Sequence, residues 1–325
     1  MTNKEPKTLQ EAMIYFADKQ NAHDFIVSLR WSDGVVCPHC GGSEQWFIKT
    51  RLIWRCKACR KQFSVKVGTI FEDSPLGLDK WLCAIWMIAN AKNGISSYEI
   101  GRALGMTQKS AWFVLHRIRY AMQEGSIEKL SGDVEADETY IGGKAENMHK
   151  WKRDAMGLQG RGTVGKAIVF GLLERTTGDK SSRAKTKVVQ NTKKKTLQPE
   201  IRNSVEKESN LYTDALKSYQ GMEEEYIHQA VDHATEYVCG TVHTNGIENY
   251  WSLFKRTLRG TYVGCEADHL PSYLDEQTFR FNNRVLTDGE RFNMVLGSVA
   301  GKRLTYKQLI IKKTFKQLNF FRKLN

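Results

Sequence analysis

The stretch Val134-Glu135-Ala136-Asp137-Glu138-Thr139-Tyr140-Ile141, closed by Gly142-Gly143, alternates with the period of a strand. On such a strand Glu135, Asp137 and Thr139 share one face and Glu138 points to the other. Two further acids sit in complementary settings. Asp214 ends the short strand-like run Asn210-Leu211-Tyr212-Thr213-Asp214. Glu248 opens a helical segment, His243-Thr244-Asn245-Gly246-Ile247-Glu248-Asn249-Tyr250-Trp251, with 33 residues between Asp214 and Glu248. Two strand carboxylates and one helix carboxylate can converge on a pair of divalent cations, which hold the attacking and leaving oxygens of a phosphodiester. The expectation is chemistry on nucleic acid.

Each acid also has a plainer reading. Asp137 alone is a solvated strand residue, and Asp214 alone is an N-cap for Ala215-Leu216-Lys217. Glu248 alone is the N3 residue of a capping-box variant, Asn245-Gly246-Ile247-Glu248. The ordered set of strand, strand end and helix favours a shared site. On a helix Glu248, Ser252 and Lys255 fall on one face, which places Lys255 to grip a phosphate. Arg256 and Arg259 extend that positive stripe, so the candidate site is acidic at its centre and basic at its rim.

Around these residues, positions 133 to 260 alternate strand-like and helix-like segments. The strands are expected at 134–141, 164–173, 185–189, 210–213 and 225–231, and the helices at 196–207 and 245–258, with one more over 265–284. The chain of 325 residues is long enough for two or three domains, and its net charge of +13 points to an anionic partner. Nucleic acid leads and a membrane surface comes second. The N-terminus lacks an apolar core, and the longest apolar run, Trp81 to Ala91, is too short to span a bilayer. Neither a membrane partner nor secretion is expected. Seven cysteines with paired spacing fit a reducing cytoplasm.

Cys37-Pro38-His39-Cys40 and Cys56-Lys57-Ala58-Cys59 are two knuckles separated by 15 residues. Four thiolates at that spacing close a tetrahedral shell around a structural Zn²⁺, forming a zinc ribbon with a hairpin over 46–56. His39 reads as a bystander. Lys49, Arg51, Arg55, Lys57, Arg60 and Lys61, with Trp46, Phe47 and Trp54, make a basic, aromatic surface suited to DNA or to a protein partner. Thr8-Leu9-Gln10-Glu11 caps a first helix, and a second runs over 22–30. Residues 78–91 form a buried helix. The segments 99–105 and 107–123 then read as helix, tight turn, helix, either a helix-turn-helix or a plain bundle. In the first case Gln108, Lys109, Ser110 and Arg117 are the candidate DNA contacts. Lys193, Lys194 and Lys195 are a DNA-contacting or simply solvated loop, and residues 301–325 carry eight Lys or Arg and no acid.

The combination of Glu135 to Lys144, Tyr212-Thr213-Asp214 and His243 to Arg256 resembles the DDE transposases of bacterial insertion sequences, in the subgroup with an N-terminal zinc ribbon. His269-Leu270, Tyr273 to Glu276 and Arg280 to Arg284 add to the likeness, which with the ribbon covers residues 20–285. The resemblance implies an RNase H-like α/β core, a mixed sheet flanked by helices. It implies that Asp137, Asp214 and Glu248 hold two Mg²⁺ ions, with Mn²⁺ as a substitute, and that Lys255 is the basic residue that follows the Glu. Some relatives place Asn at the third position, so Asn245 and Asn249 are rivals or helpers for Glu248. It further implies double-stranded DNA as partner, a dimer or higher multimer on paired ends, and a cytoplasmic, nucleoid-associated protein. The expected organisation is N-terminal helices (1–32), zinc ribbon (33–70), helix-turn-helix-like segment (76–125), catalytic domain (130–285) and basic tail (286–325). A DNA-binding regulator, a junction resolvase with the same acids and a zinc-ribbon scaffold are the competing readings.

Overall fold

Thr8 and Asp18 start two successive helices. The Thr8 hydroxyl accepts from Glu11 N at the head of α1 (Leu9–Ala17), and Asp18 accepts from Gln20 N and Asn21 N at the head of α2 (Lys19–Arg30). The computed structural model describes residues 6–123, 128–142, 149–155, 165–178, 180–231 and 242–311. Gly143, Lys144, Cys239 and the basic residues beyond 311 lie outside them. The chain divides into two units, residues 1–123 with 286–325, and residues 124–285.

In the first unit β1 (Gln45–Ile48) and β2 (Ile53–Cys56) form the expected hairpin, and β3 (Gln62–Ser64) adds a third antiparallel strand that the sequence reading did not place. Trp54 is not part of the exposed aromatic surface. It is 5% exposed and packs against His23, Trp31 and Phe63, because β2 is the central strand and turns it onto α2. Three helices follow, α3 (Leu78–Asn90), α4 (Ser97–Leu104) and α5 (Gln108–Met122). Ser96 and Glu99 form a capping box at α4, Gly105 ends it with φ 59, and Thr107 caps α5.

The second unit is built on one five-stranded sheet. Its strands are β4 (Asp133–Ile141), β5 (Ala167–Glu174), β6 (Arg183–Val189), β7 (Asn210–Asp214) and β8 (Ile227–Val231), in the order β6-β5-β4-β7-β8. β4, β5 and β6 pair antiparallel, while β4, β7 and β8 pair parallel. The short α6 (Lys150–Ala155) lies between β4 and β5 in sequence. One face packs Val134, Ala136, Phe170 and Leu172 against Leu197 and Ile201 of α7 (Lys194–Ser204). The other packs Val169 and Leu173 against Ile247, Tyr250, Trp251 and Phe254 of α8 (Asn245–Thr257) and Leu274 of α9 (Leu270–Asn282). This is the mixed sheet flanked by helices that the resemblance implied, with an RNase H-like order. Lys193 is the N-cap of α7 and Lys194 and Lys195 begin it, so the three do not form a loop.

The segment expected as a basic tail is folded into the first unit. α10 (Asp288–Gly297) buries Phe292, Val295 and Leu296, and the Phe292 ring lies 5.0 Å from Trp86 and 5.9 Å from Phe16. A short α11 (Tyr306–Ile310) follows. Lys302 donates to the carbonyls of Ala121 and Gln123, and Arg303 pairs with Asp73. Charge dominated the sequence reading of this segment, whereas its three apolar residues at helical spacing decide its place. Phe292→Ala is expected to cost about 3 to 5 kcal/mol by opening a cavity among these rings. The denaturant midpoint of the full chain measures it, and a change under about 1 kcal/mol contradicts the packing.

Candidate metal and nucleic-acid site

The register of the sheet creates the site. β7 pairs with β4 only from Asp133↔Asn210 to Ala136↔Thr213, whereas β5 accompanies β4 to Ile141. Beyond Ala136 the β7 side of β4 is therefore uncovered, and Asp137 and Asp214 are the next residues on the two strands. An open cleft of about 880 Å³ lies there, lined by Asp137, Glu138, Asp214 and Glu248 and by Lys255, Arg256 and Arg259. The three acids singled out in the sequence thus share one cleft, and Lys255 with both arginines forms its basic side. Asn245 and Asn249 are not among the lining residues.

Glu138 is the residue that sequence reasoning missed. Its face was read correctly, since it points away from α8 and accepts a hydrogen bond from Tyr219 Oη. It nevertheless lines the cleft, because no strand covers that edge. Carboxylate oxygens of Asp137, Glu138 and Asp214 lie within 4.8 Å of one another. Glu248 is exposed on α8, outside this tighter group, and accepts from the Thr244 hydroxyl at 3.1 Å. Burial, with the Asp214 and Glu248 charges, pushes the Asp137 carboxyl up to about 6. Burial likewise pushes Glu138 up to about 7, with Asp214 and Asp137 adding to it. Desolvation lowers Lys255, against the pull of Asp137. An oxygen-only group of mutually repelling acids fits a divalent cation. Asp214 also serves locally, accepting from Leu216 N at 3.2 Å.

Helix α8 is held over this cleft by a residue outside it. Glu135, 1% exposed, accepts from Ile247 N at 2.8 Å in the first turn of α8. It also pairs with Arg175 Nε at 2.7 Å, and Arg175 in turn donates to the His243 carbonyl at 2.6 Å. A strand carboxylate thus performs the capping role that the sequence reading gave to residues of the helix itself. Gly246 leaves room for it, since a Cβ there would stand 2.9 Å from Glu135 Oε2. Gly171, opposite Asp137 on β5, makes a second accommodation. A Cβ on Gly171 would lie 2.5 Å from the Trp251 ring, which crosses β5 and donates its Nε1–H to Asp137 Oδ2 at 3.0 Å.

In the first unit the sulfurs of Cys37, Cys40, Cys56 and Cys59 lie within 4.8 Å of one another, with Cys37 to Cys59 at 3.7 Å and Cys40 to Cys56 at 3.6 Å. Thiolates about 2.3 Å from a tetrahedral zinc stand about 3.8 Å apart, so the cluster fits a closed structural Zn²⁺ site. Exposed Trp46 carries Arg60 and Lys57 over its ring, at 5.6 and 5.8 Å. Arg51 and Arg55 are exposed beside it. Gln108 and Lys109 are exposed at the start of α5, with Ser110 half-buried behind them. Arg117 is a correction. It is 3% exposed and donates to the carbonyls of Leu304 and Glu72, so no face of its guanidinium is left for DNA.

The Gly171–Trp251 contact predicts its own test. Gly171→Ala should overpack the site and cost about 1 to 3 kcal/mol. In a Trp251→Ala background the same change should cost far less. Equal costs in both backgrounds, measured by denaturant unfolding, would show that the indole is not what excludes a side chain. Metal analysis of the purified chain is expected to return one zinc per chain, lost in Cys56→Ser.

Comparison with known proteins agrees with this geometry. Residues 129–282 match the ISXO2-like transposase domain of the IS1595 family, and residues 17–62 match the transposase zinc-ribbon domain. The ribbon match begins before the boundary expected at 33, in keeping with His23 and Trp31 packing on Trp54. An uncharacterized protein in the transposable element ISH50 of Halobacterium salinarum is 28% identical over 274 residues, covering 80% of this chain and 89% of that one. An uncharacterized transposase-like protein of Haemophilus influenzae is 37% identical over 99 residues, covering 30% of this chain and 80% of that protein. No solved structure matches the chain. Among the described residues no helix is long and apolar enough to cross a membrane. On both its transposase-domain and its ribbon sequence, the chain belongs to the ISXO2-like transposases of the IS1595 family that carry an N-terminal zinc ribbon.

Proposed function

We propose that the chain binds the ends of its insertion sequence and catalyses Mg²⁺-dependent strand cleavage and strand transfer, with Mn²⁺ as a substitute cation. The observation that carries this reading is the cleft itself, lined together by Asp137 and Asp214 from the sheet, by Glu248 and Lys255 from α8, and by Arg256 and Arg259. Asp137, Asp214 and Glu248 would hold two hard cations, which would supply the positive charge that phosphodiester cleavage requires. The protein's own residues do the positioning. Asp137, oriented by the Trp251 indole, and Asp214, at the end of β7, fix the acidic centre from the sheet. Glu248 faces it from α8.

Lys255 is half-buried one turn or two beyond Glu248 and grips the phosphate of the bound strand, with Arg256 and Arg259 on its neighbours. A smaller pocket of about 190 Å³ shares Lys255 and Arg259 and extends past Tyr140 and Val263, a path for the strand that flanks the reacting phosphodiester. Water attacks the phosphorus at the element end and breaks its P–O3′ bond, freeing a 3′-hydroxyl; that hydroxyl then attacks a target phosphorus, joins to the target 5′-phosphate and releases the target 3′-hydroxyl. No covalent protein–DNA intermediate is involved.

Recognition of the end sequence is assigned to the first unit. Gln108, Lys109 and Ser110 open α5, the second helix of a helix-turn-helix, and Arg51 and Arg55 contact backbone from the ribbon. Lys193, Lys194 and Lys195 add non-specific phosphate contacts at the start of α7. The active form is a homodimer or higher multimer on double-stranded DNA, in the bacterial cytoplasm at the nucleoid.

Incubation with oligonucleotides carrying the element's terminal repeats and Mg²⁺ is expected to give nicked and joined products. Asp137→Ala should abolish joining and leave end binding near wild type. Joining at the wild-type rate by that variant sinks the assignment. Replacing both Arg256 and Arg259 by Ala should weaken binding to any sequence alike and lower the slope of log affinity against log salt by about 2, one unit for each phosphate no longer neutralised. An unchanged slope removes them from the DNA surface.

A further inference from the structure

We infer that Glu138 is a further catalytic carboxylate, which ligates the same divalent cation as Asp137 and Asp214, and that Tyr219 is the positioning residue that aims it. The inference rests on the functional reading above and deepens it. The first support is topological. A residue on the far face of β4 would ordinarily be screened from Asp137 by the neighbouring strand. Here the β4–β7 pairing stops at Ala136↔Thr213, one residue before both aspartates. Glu138 therefore meets the open edge, and its extra methylene carries the carboxylate round to within 4.8 Å of the two Asp groups.

The second support is the way this molecule treats its other buried acids. Glu135, Glu174 and Glu276 are each at most 8% exposed, and each is neutralised by an arginine, Arg175, Arg183 and Arg280 respectively. Among the described residues no Lys, Arg or His forms an ion pair with Asp137, Glu138 or Asp214. Three acids that close repel one another, and burial adds to the cost. A bound cation meets the need that an arginine meets elsewhere.

The third support is the investment in orienting Glu138. Tyr219 is 1% exposed, packed in the core with Leu197, Ile201 and Met222, and donates its hydroxyl to Glu138 Oε1. It lies on a short 3-10 turn, Lys217–Tyr219, that starts three residues after Asp214. The same turn therefore ties the position of Glu138 to the end of β7. A solvated surface glutamate has no use for a core phenol.

The test is titration of the full chain with Mn²⁺, without DNA, by calorimetry. Wild type, Glu138→Gln, Tyr219→Phe and Asp137→Asn are compared, with the melting temperature of each recorded with and without Mn²⁺. Glu138→Gln keeps the shape and the Tyr219 hydrogen bond while removing a charge. It is expected to weaken the tightest Mn²⁺ site at least tenfold, to leave the metal-free melting temperature equal or higher, and to reduce the Mn²⁺-induced rise. Tyr219→Phe is expected to weaken that site several-fold, an effect that loss of core packing alone would not produce at unchanged melting temperature. If Asp137→Asn weakens Mn²⁺ binding and Glu138→Gln does not, Glu138 is no ligand and the functional reading stands. If the wild type binds no Mn²⁺, the functional reading itself falls.

Discussion

The buried charge of Glu135 is the constraint on which the second unit depends. An ionised carboxylate 1% exposed costs several kcal/mol to desolvate unless it is paired and hydrogen-bonded. Arg175 supplies the opposite charge and the amide of Ile247 a further donor. Both partners lead to the same element. Ile247 lies in the first turn of α8, and Arg175 reaches back to the carbonyl of His243 just before it. Satisfying Glu135 therefore docks the N-terminus of α8 against β4 in one position. Hydrophobic packing alone, through Ile247, Tyr250, Trp251 and Phe254, would tolerate sliding or rotation that the ion pair does not.

Once α8 is fixed at its start, its 3.6-residue period does the rest. The buried stripe faces the sheet, and the adjacent stripe of Glu248, Ser252 and Lys255 faces the cleft. Trp251 sits at the border between the two. Its ring is buried over Gly171 while its N–H reaches Asp137, so one side chain belongs both to the core and to the acidic centre. The absence of a Cβ at position 171 is what permits this. The geometry of the acidic centre thus rests on apolar contacts, on the Trp251 hydrogen bond to Asp137 and on one ion pair outside the cleft.

The parts of this architecture that were legible in the sequence are those set by local spacing. Two Cys-x-x-Cys knuckles separated by 15 residues specify a four-thiolate cluster whatever surrounds them. The alternation around Asp137 and the helical stripe from Glu248 to Lys255 follow from backbone periods. What was not legible depended on neighbours far away in sequence. A period of two assigns Glu138 to the opposite face, and it does point there, yet the face loses its meaning where the partner strand ends. Arg117 looks like a surface cation on an amphipathic helix. Its long stem instead lets the guanidinium reach inward to two carbonyls, one 187 residues away. The segment after 286 was read by its charge, and its fate was set by Phe292 meeting Trp86. Trp54 was read as exposed because the third strand of the ribbon sheet, which makes β2 central, is only Gln62–Ser64 and too short to announce itself.

The treatment of acids across the second unit separates structure from function more sharply than burial does. Glu135, Glu174 and Glu276 are less exposed to solvent than the acids of the cleft, and each is matched by an arginine. Such pairs are structural: breaking one leaves an uncompensated charge in the core, and keeping it adds no reactivity. Asp137, Glu138 and Asp214 are less buried and have no arginine of this kind. The ionisation of Asp137 and Glu138 is displaced upward by desolvation and by the neighbouring acids. Leaving the charge unmatched by an arginine keeps the position available to a cation from solution, while Lys255, Arg256 and Arg259 line the same cleft beside the acids.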